Sequence, residues 1–317
     1  MQYILIIIGF GLLIFGANYL VDGGSGIAKR FNVSDLVIGL TIVAFGTSAP
    51  ELVVNLFAAL GPATADIALT NIIGSNQLNT FIILGATALV FPIKSQMSSR
   101  KFDIPLSLSA PLLLIIPAFF RNDVSRANGV LLLVIFSFFM FVTARKAFQT
   151  RDSQQSEETA AHVKRYKTWI YVMMVVGGLL LLTVGGKIII NSAVAIAESL
   201  GISQVIIGLT IVALGTSLPE LATSVVAAFK KNCDIALGNI IGSNIFNVFL
   251  VLGISATIRP LPVYHNMLID LAIAALGSLL VLVFVSTNKK YEIKRWEGLL
   301  LLCTYFAYIV WTISNTG

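Results

Sequence analysis

Two stretches of this chain nearly repeat each other: Ile38–Leu52 reads IGLTIVAFGTSAPEL, and Ile207–Leu221 reads IGLTIVALGTSLPEL. Each stretch places one carboxylate, Glu51 or Glu220, inside a long apolar run. A charged side chain in the hydrocarbon region of a membrane costs at least about 2–3 kcal/mol, so such residues are rare and usually mark an ion or substrate path. The two acids therefore predict one polar path, with one carboxylate from each of the two repeated stretches.

The composition predicts an all-α integral membrane protein. The 317 residues are 57% hydrophobic and 11% charged, and the mean hydropathy is +0.91. The apolar runs reach about 20 residues, the length of a helix that crosses roughly 30 Å of hydrocarbon. Barrel strands would be shorter and would alternate. Ten transmembrane helices are predicted, at 2–28, 35–60, 66–93, 102–120, 127–148, 168–197, 204–229, 234–258, 265–287 and 294–315.

The first apolar run is predicted to be a retained span. It is too long for the core of a signal peptide, and the second half has a counterpart that cannot be one. No soluble domain is predicted anywhere.

Basic residues predict the orientation in the membrane. Of the 21 lysines and arginines, 17 fall in the odd-numbered connections between the predicted spans. Because cytoplasmic loops carry an excess of Lys and Arg, these connections are predicted to be cytoplasmic and both termini extracytoplasmic. The expected location is the plasma (bacterial inner) membrane, and the lipid bilayer rather than a nucleic acid explains the net charge of +6.

Cysteine and histidine usage predicts neither a disulfide nor a bound metal cofactor. Cys233 lies near a predicted cytoplasmic loop and Cys303 within a span, so a structural disulfide is not expected. His162 and His265 have no metal-ligand spacing around them and are interpreted as ordinary surface residues.

The repeat extends beyond the first motif and predicts an inverted duplication. Asn71–Asn79 reads NIIGSNQLN, and Asn239–Asn247 reads NIIGSNIFN. Each half contains five predicted spans, an odd number, so the second half enters the membrane in the opposite orientation, as in many secondary transporters. The predicted organisation is a first five-helix repeat (1–148), a polar cytoplasmic linker (149–167) and a second, inverted five-helix repeat (168–317).

The residues around each acid have the spacing of one helix face. Positions i, i+3, i+4 and i+7 are Ala44, Thr47, Ser48 and Glu51 in the second span, and Ala213, Thr216, Ser217 and Glu220 in the seventh. Pro50 and Pro219 lack an N–H and crowd the preceding turn, so backbone carbonyls near each proline are predicted to lose their helical partners. A dehydrated cation is a suitable replacement partner.

A second polar set recurs in the third and eighth spans at three- and four-residue steps. It comprises Asn71, Ser75, Asn76 and Asn79, then Asn239, Ser243, Asn244 and Asn247. Hydroxyl, amide, carbonyl and carboxylate oxygens together favour a hard cation, and calcium and sodium fit best. Small polar residues also hold membrane helices together, so for the serines, glycines and asparagines taken singly a packing role stays open.

GTSAPEL and GTSLPEL, each followed by NIIGSN, resemble the two alpha repeats of the cation/calcium exchanger superfamily, specifically its prokaryotic sodium/calcium exchanger branch. The resemblance covers essentially the whole chain. It implies four cation sites between the second, third, seventh and eighth helices, and alternating access in which the first and sixth helices slide across the other eight.

The resemblance also implies roles for single residues. Glu51 and Glu220 would be the central calcium ligands, helped by the Thr47 and Thr216 carbonyls. Sodium would use the same acids, the Ala44 and Ala213 carbonyls, Thr47 and Ser75 on one flank, and Thr216, Ser217 and Ser243 on the other. Asn79 and Asn247 would complete the middle, and Ser48 belongs to the same ligand set. The transported Ca²⁺ and Na⁺ are substrates, and no cofactor is expected.

Three departures from the family pattern concern mainly the first half. Asn247 stands where some relatives, including potassium-dependent exchangers, have Asp, which argues against potassium cotransport. Asn55 and Thr70 replace the small Ser and Gly that remain as Ser224 and Gly238. Gln77 replaces a usual apolar residue, so the first repeat is predicted to be the less typical one.

The predicted function is an electrogenic sodium/calcium antiporter, because two carboxylates offset one Ca²⁺ or two Na⁺ and a third Na⁺ would leave a net charge. A calcium/proton antiporter is the alternative, although Asn79 and Asn247 are amides where the proton-coupled branch is expected to have an additional acid.

A channel or scaffold fits less well, because one internal twofold repeat suffices for a monomeric site. An enzyme is not predicted, since two glutamates lack a nucleophile, histidine or cofactor motif beside them.

Overall fold

The computed structural model describes residues 2–60, 65–153, 166–200 and 213–316. In this part of the chain, helices form all of the long elements. The α-helices are α1 Gln2–Phe31, α2 Asp35–Ile38, α3 Ala44–Thr47, α4 Ala49–Leu60, α5 Ala65–Gln77, α6 Leu84–Val90, α7 Ile104–Phe120, α8 Arg126–Ser153, α9 Thr168–Ser199, α10 Ala213–Thr216, α11 Leu218–Phe229, α12 Cys233–Ile245, α13 Gly253–Ile258, α14 Met267–Thr287 and α15 Arg295–Thr316.

Several α-helices continue into one another through wider π-helical turns. These segments are π1 Gly39–Val43, π2 Leu78–Ile83, π3 Ser99–Asp103 and π4 Phe246–Leu252. Four short strands lie between the long helices: β1 Ile93–Lys94, β2 Asp123–Val124, β3 Leu261–Pro262 and β4 Glu292–Ile293. Three of the π turns lie inside predicted spans, whereas π3 begins before the predicted span 102–120. The strands β2, β3 and β4 lie in the predicted connections, and β1 begins at the last residue of the predicted span 66–93.

Long apolar helices confirm the prediction of an all-α integral membrane protein. Among the described residues, seven helices are long and apolar enough to cross a membrane, or eight if the bent pair Asp35–Thr47 and Ala49–Leu60 counts as one span. The predicted span 204–229 falls partly outside the described residues, and its described part includes the 12-residue helix α11. The predicted span 294–315 corresponds to α15, which is not among the seven.

The helices that carry the NIIGSN motifs form the centre of the molecule. In the apolar core of the continuous helix Ala68–Val90, 78% of the residues are buried, and in that of Cys233–Ile258 the share is 94%. In the other candidate spans of the described chain the buried share is at most 39%. The polar motif residues therefore lie in the protein interior, and the outer helices provide most of the surface for lipid.

Helices α1 and α9 pack against each other along their whole length in antiparallel directions. Gly9 lies opposite Gly185, and Gly16 lies opposite Gly178. A methyl group placed on Gly16 or Gly178 would lie 2.8 or 2.7 Å from the carbonyl oxygen of the other residue. Glycine lets two membrane helices approach this closely, and the close backbone contact holds α1 and α9 as a pair.

In the described part of the chain, strand pairs join odd-numbered connections to each other and even-numbered connections to each other. Strand β1 pairs antiparallel with β4, joining two of the basic odd-numbered connections, and β2 pairs with β3, joining two of the even-numbered ones. Side chains add further links among the odd connections, from Gln96 Nε2 to Asp234 Oδ2 at 2.7 Å and from Asn232 Nδ2 to Asp35 Oδ2 at 2.6 Å. These contacts place three of the basic loops together with the start of α2.

Candidate ion-binding site

Each of the two repeated motifs contains a break in its helix, as Pro50 and Pro219 predict. Helix α3 ends at Thr47 and α4 begins at Ala49, with a bend of 48° between the two parts of the span. Ser217 interrupts the second motif in the same place, between α10 and α11. The break places Glu51 and Glu220 in the first turns of α4 and α11, where the positive end of the helix dipole favours a carboxylate.

Both carboxylates lie in the interior, and each meets the broken helix of the other half. Glu51 and Glu220 are each 1% exposed. The hydroxyl of Ser48 donates to Glu220 Oε1 at 3.1 Å. The hydroxyl of Thr216 in turn bonds the Glu51 carboxylate, which lies close enough to Glu220 for their charges to repel. Residues separated by about half the chain therefore form one acidic pair.

Asn239 joins the two halves beside this pair. Its amide nitrogen donates to Ser224 Oγ at 2.9 Å and to the Glu220 carbonyl at 3.3 Å. Its amide oxygen accepts a hydrogen bond of 3.0 Å from Thr47 Oγ1. This asparagine fixes α11 to α12 and at the same time holds the end of α3, so a residue of the second repeat positions a predicted ligand of the first.

The corresponding position in the first half is arranged differently. Asn71 is the counterpart of Asn239, but its amide nitrogen is buried without a hydrogen-bond partner among the described residues. Asn55 stands where the second half has Ser224, and its amide nitrogen donates to the Glu51 carbonyl at 2.9 Å. The replacement noted in the sequence therefore changes the hydrogen bonding directly behind Glu51.

Many oxygens of the predicted ligand set are buried without a hydrogen-bond partner in the described part of the chain. They are Glu51 Oε2, Glu220 Oε2, Ser75 Oγ, Ser217 Oγ, Ser243 Oγ, Asn79 Oδ1 and Asn247 Oδ1. A buried polar atom without a partner costs about 1–3 kcal/mol, and more when it is charged. Such a concentration of unpaired oxygens is suited to a dehydrated cation, which needs several oxygen ligands and supplies the missing charge.

Asn79 and Asn247 lie on the π turns of the two central helices. Asn79 is in π2, which packs against α11, and Asn247 is in π4, which packs against α4. Each amide thus belongs to the segment that packs on the acid-bearing helix of the other half. π turns occur often at functional sites, and the local sequence does not predict them.

An asparagine network behind Asn247 was not predicted as part of the site. Asn247 Nδ2 donates to Asn76 Oδ1 at 3.1 Å, which leaves Asn247 Oδ1 unpaired. Asn76 Nδ2 donates to the Asn244 carbonyl at 3.1 Å, and Asn244 Nδ2 donates to Thr80 Oγ1 at 2.9 Å. Asn76 and Asn244 were recognisable as part of a repeated polar set, but their helical spacing alone does not say which residues they bind.

The remaining predicted residues occupy the same region with fewer direct contacts. Ala44 is fully buried, and its carbonyl accepts a hydrogen bond of 3.3 Å from Thr47 Oγ1. Ala213 begins α10. The side chain of Ser243 lies beside the Glu220 carboxylate. The hydrogen bonds among the described residues do not connect Ser75, Asn79 or Asn247 directly to either glutamate.

The described residues contain no group of three or more His, Cys, Asp or Glu side chains that could hold a metal ion by itself. The candidate site instead combines two carboxylates with hydroxyl, amide and carbonyl oxygens. This donor set is typical of calcium or sodium rather than of a transition metal.

Known proteins with similar sequences and structures cover nearly the whole chain. The chain is 39% identical to CaxA of Alkalimonas amylolytica, a protein named as an antiporter, with 96% of each chain covered. It is 34% identical to the sodium/calcium exchanger MaX1 of Methanosarcina acetivorans, covering 98% of this chain and 97% of the relative. A solved structure of the sodium-calcium exchanger NCX_Mj, soaked with Na⁺ and Ca²⁺, superposes with a TM-score of 0.83 at 31% identity and covers 98% and 97% of the two chains.

The family described as sodium/calcium exchanger protein matches residues 1–145 and 170–314. With both stretches matched and two relatives similar over their full length, the chain belongs to the sodium/calcium exchanger family.

Proposed function

We propose that this protein is a secondary antiporter that exchanges sodium for calcium across a membrane by alternating access. The main support is the contact between the two buried acids and the broken helix of the opposite half: Ser48 donates to Glu220, and Thr216 bonds Glu51. One site built from both halves suits a cation that must be reached from each side in turn.

The proposed architecture has ten membrane helices in two inverted repeats, 1–148 and 168–317, joined by the linker 149–167. The two stretches matched by the family, 1–145 and 170–314, coincide with these halves. The antiparallel packing of α1 on α9 supports the inversion, because equivalent helices of inverted repeats run in opposite directions. The basic loops would face the cytoplasm and both termini the outside.

The proposed ligands form a central calcium site with sodium sites around it. Glu51 and Glu220 bind calcium together with the Thr47 and Thr216 carbonyls. Sodium uses the same acids, the flanking hydroxyls and the Ala44 and Ala213 carbonyls, and Asn79 and Asn247 lie in the middle. The unpaired oxygens of Ser75, Ser217 and Ser243 support this assignment. Because both ions use the same acids, sodium and calcium compete.

Charge balance makes the proposed exchange electrogenic. Two carboxylates neutralise one Ca²⁺ or two Na⁺, so a third Na⁺ would add net positive charge to the site. Exchange of three sodium ions for one calcium ion would move one charge per cycle, worth about 2.3 kcal/mol for each 100 mV of membrane potential.

Transport by the purified protein in liposomes tests the proposal. Vesicles loaded with sodium and diluted into sodium-free buffer should accumulate radioactive calcium, and vesicles loaded with choline should not. The variants Glu51→Gln and Glu220→Gln should abolish uptake, whereas Glu198→Gln, at an exposed acid near the end of α9, should retain it. Sodium-independent uptake, or full uptake by the two site variants, would overturn the proposal.

A second measurement addresses the charge that moves. In sodium-loaded vesicles, outward movement of three Na⁺ against inward movement of one Ca²⁺ would make the interior negative. An inside-positive potential, set with potassium and valinomycin, should therefore speed calcium uptake. Uptake that does not respond to this potential would exclude electrogenic exchange.

The second candidate function is calcium/proton exchange. The similarity to the antiporter CaxA is the reason to consider it. Asn79 and Asn247 favour sodium exchange over proton exchange, because they are amides at positions where an additional acid would suit proton coupling. Imposing a pH gradient in the absence of sodium separates the two functions. Sodium exchange predicts no calcium uptake under that condition, and proton exchange predicts uptake.

A further inference from the structure

A small chamber lies behind the two central helices, away from the glutamates. It is bounded by α5 with π2, by α7, by α12 with π4, and by α14. Its wall includes Asn76 and Thr80, each of which lies about 100° around the helix from its neighbour Ser75 or Asn79. The residues that form the wall include neither glutamate and none of the predicted cation ligands, and the asparagine network lies between the chamber and the cation site.

The chamber has the size of one water molecule. The space open to the centre of a water molecule is about 10 Å³, which is close to the least volume that holds a single water. All of the side chains in its wall are buried. An apolar cavity of this size would stay empty, so the chemistry of the wall decides what it contains.

Five of the eleven side chains in the wall are polar, although most of the surface that the wall presents is apolar. Besides Asn76 and Thr80, it includes Ser107, Asn244 and Ser278. Ser107 is 3% exposed and Asn244 2% exposed, and neither Ser107 Oγ nor Asn244 Oδ1 has a hydrogen-bond partner in the described structure. A water molecule could donate to the amide oxygen and either donate to or accept from the serine hydroxyl.

The Ser107 hydroxyl differs from two other hydroxyls on these helices. Serine and threonine in a helix can bond a carbonyl of the preceding turn. Ser109, two residues later on α7, donates to the Leu106 carbonyl at 2.6 Å, and Thr87 donates to the Ile83 carbonyl at 2.6 Å. The Ser107 hydroxyl makes no such bond and is therefore available to a molecule in the chamber.

The wall does not suit a cation. The residues that line it include amides, hydroxyls and apolar side chains, and no Asp or Glu is among them. A cation in a buried site without a counter-charge would carry a large desolvation cost. A neutral ligand with two donors and two acceptors matches the wall instead.

We propose that this chamber holds one ordered water molecule, hydrogen-bonded to Ser107 Oγ and Asn244 Oδ1, which fixes the asparagine network behind the cation site. Asn244 is held on its other side by Thr80, and its backbone carbonyl accepts from Asn76. Asn76 in turn accepts from Asn247 and so leaves the Asn247 oxygen unpaired. The water connects α7 to this chain of contacts, and Ser107 acts as a positioning residue.

The variant Ser107→Ala tests the water through the sign of its effect on stability. If the chamber is hydrated, alanine removes a hydrogen bond and lowers the melting temperature by about 2 °C. If the chamber is dry, alanine removes an unpaired buried hydroxyl and raises it. Ser109→Ala makes the same change on the same helix outside the chamber wall and shows the cost of losing a known hydrogen bond, the one from Ser109 to the Leu106 carbonyl.

A crystal structure that resolves water molecules provides the second readout. Density for one water within about 3.2 Å of both Ser107 Oγ and Asn244 Oδ1 supports the proposal. An empty chamber, or oxygen distances near 2.4 Å that indicate a bound ion, would overturn it. A Ser107→Ala melting temperature equal to or above that of the parent protein would also overturn it.

The calcium affinity of the variants tests whether the chamber affects the cation site. In liposomes, Ser107→Ala should raise the calcium concentration for half-maximal uptake by about twofold to fivefold, with the maximal rate retained, and Ser109→Ala should leave it unchanged. An unchanged half-maximal concentration in Ser107→Ala would refute the positioning role. The density and the melting temperatures do not depend on which ions are exchanged, so they can fail or succeed independently of the proposed function.

Discussion

The hydroxyl of Ser48 donates a hydrogen bond to the Glu220 carboxylate at 3.1 Å, although 172 residues separate the two in the chain. The contact crosses from the broken helix of the first half to the acid of the second. Thr216 bonds the Glu51 carboxylate, and its counterpart Thr47 lies beside the Glu220 carboxylate, but Ser217 Oγ has no partner in the described structure. The two motifs are nearly identical in sequence but unequal in their hydrogen bonds.

This inequality predicts different effects of two equivalent substitutions. Ser48→Ala removes a hydrogen bond to a charged group, worth about 1.5–3 kcal/mol, so the calcium concentration for half-maximal uptake should rise about tenfold or more. Ser217→Ala removes a hydroxyl that has no partner in the described structure, so calcium uptake should change little and sodium inhibition should weaken. Equal shifts in calcium affinity for the two variants would contradict the asymmetry.

The position behind Glu51 predicts that Asn55→Ser will be tolerated. In the second half, Ser224 Oγ accepts from Asn239 at 2.9 Å, whereas Asn71 Nδ2 in the first half is unpaired. A serine at position 55 would lose the bond to the Glu51 carbonyl but could accept from Asn71. The variant should fold and transport calcium, with a free energy of unfolding within about 1 kcal/mol of the parent.

Asn55→Leu provides the comparison for that variant. Leucine has a similar volume and, like serine, loses the side-chain bond to the Glu51 carbonyl, but it offers no acceptor to Asn71 Nδ2. It should therefore be about 1–3 kcal/mol less stable than the serine variant. Thermal unfolding and calcium uptake measured side by side distinguish the two. A leucine variant as stable as the serine variant would show that these hydrogen bonds contribute little.

An ion pair between α1 and the connection after α11 predicts an effect on rate rather than on stability. Lys230 Nζ lies 2.6 Å from Asp22 Oδ1 and 3.3 Å from the Asn18 carbonyl, and the two charged side chains are 28% and 55% exposed. Exposed pairs contribute about 0–1 kcal/mol. If α1 slides during transport, this pair must break in each cycle.

Lys230→Gln should therefore leave the melting temperature nearly unchanged and raise the initial rate of calcium uptake by up to about fivefold, the factor that corresponds to about 1 kcal/mol. Lys231→Gln removes the same charge from the neighbouring exposed residue and is the control. An equal acceleration in both variants would indicate a general charge effect and not the release of α1.

The parts of the site that could be predicted are those that depend on local sequence. Pro50 and Pro219 cannot donate within a helix, so breaks near Ser48 and Ser217 followed directly from the residues. The cytoplasmic side of the basic connections stays a prediction from their charge, and the pairing of β1 with β4 shows that two of them lie together.

The parts that could not be predicted depend on contacts between distant residues. The bond from Thr47 to Asn239 spans 192 positions, and the spacing of polar residues on one helix does not identify a partner on another. The same holds for Asn76 and Asn244, whose bonds depend on how closely the central helices cross. No local residue pattern predicted the π turns that carry Asn79 and Asn247.

The contact of α1 with α9 leads to a prediction about glycine. Gly178 allows its helix to approach Gly16 so closely that an added Cβ would lie 2.7 Å from the Gly16 carbonyl oxygen and 2.8 Å from the Leu20 nitrogen. Both atoms belong to the backbone and cannot move aside as a flexible side chain would. Gly178→Leu must therefore push the two helices apart, at a cost of about 1–3 kcal/mol or more.

Gly177→Leu is the matched control for this prediction, because a Cβ on Gly177 would meet nothing within 4 Å. Both variants add the same side chain to adjacent positions of α9, so any gain in helix propensity is shared. Gly178→Leu should lower the melting temperature and slow calcium uptake, since the helix pair that is proposed to slide would no longer pack as a unit. If Gly178→Leu were as stable and as active as Gly177→Leu, the close packing of α1 on α9 would not be needed for folding or transport.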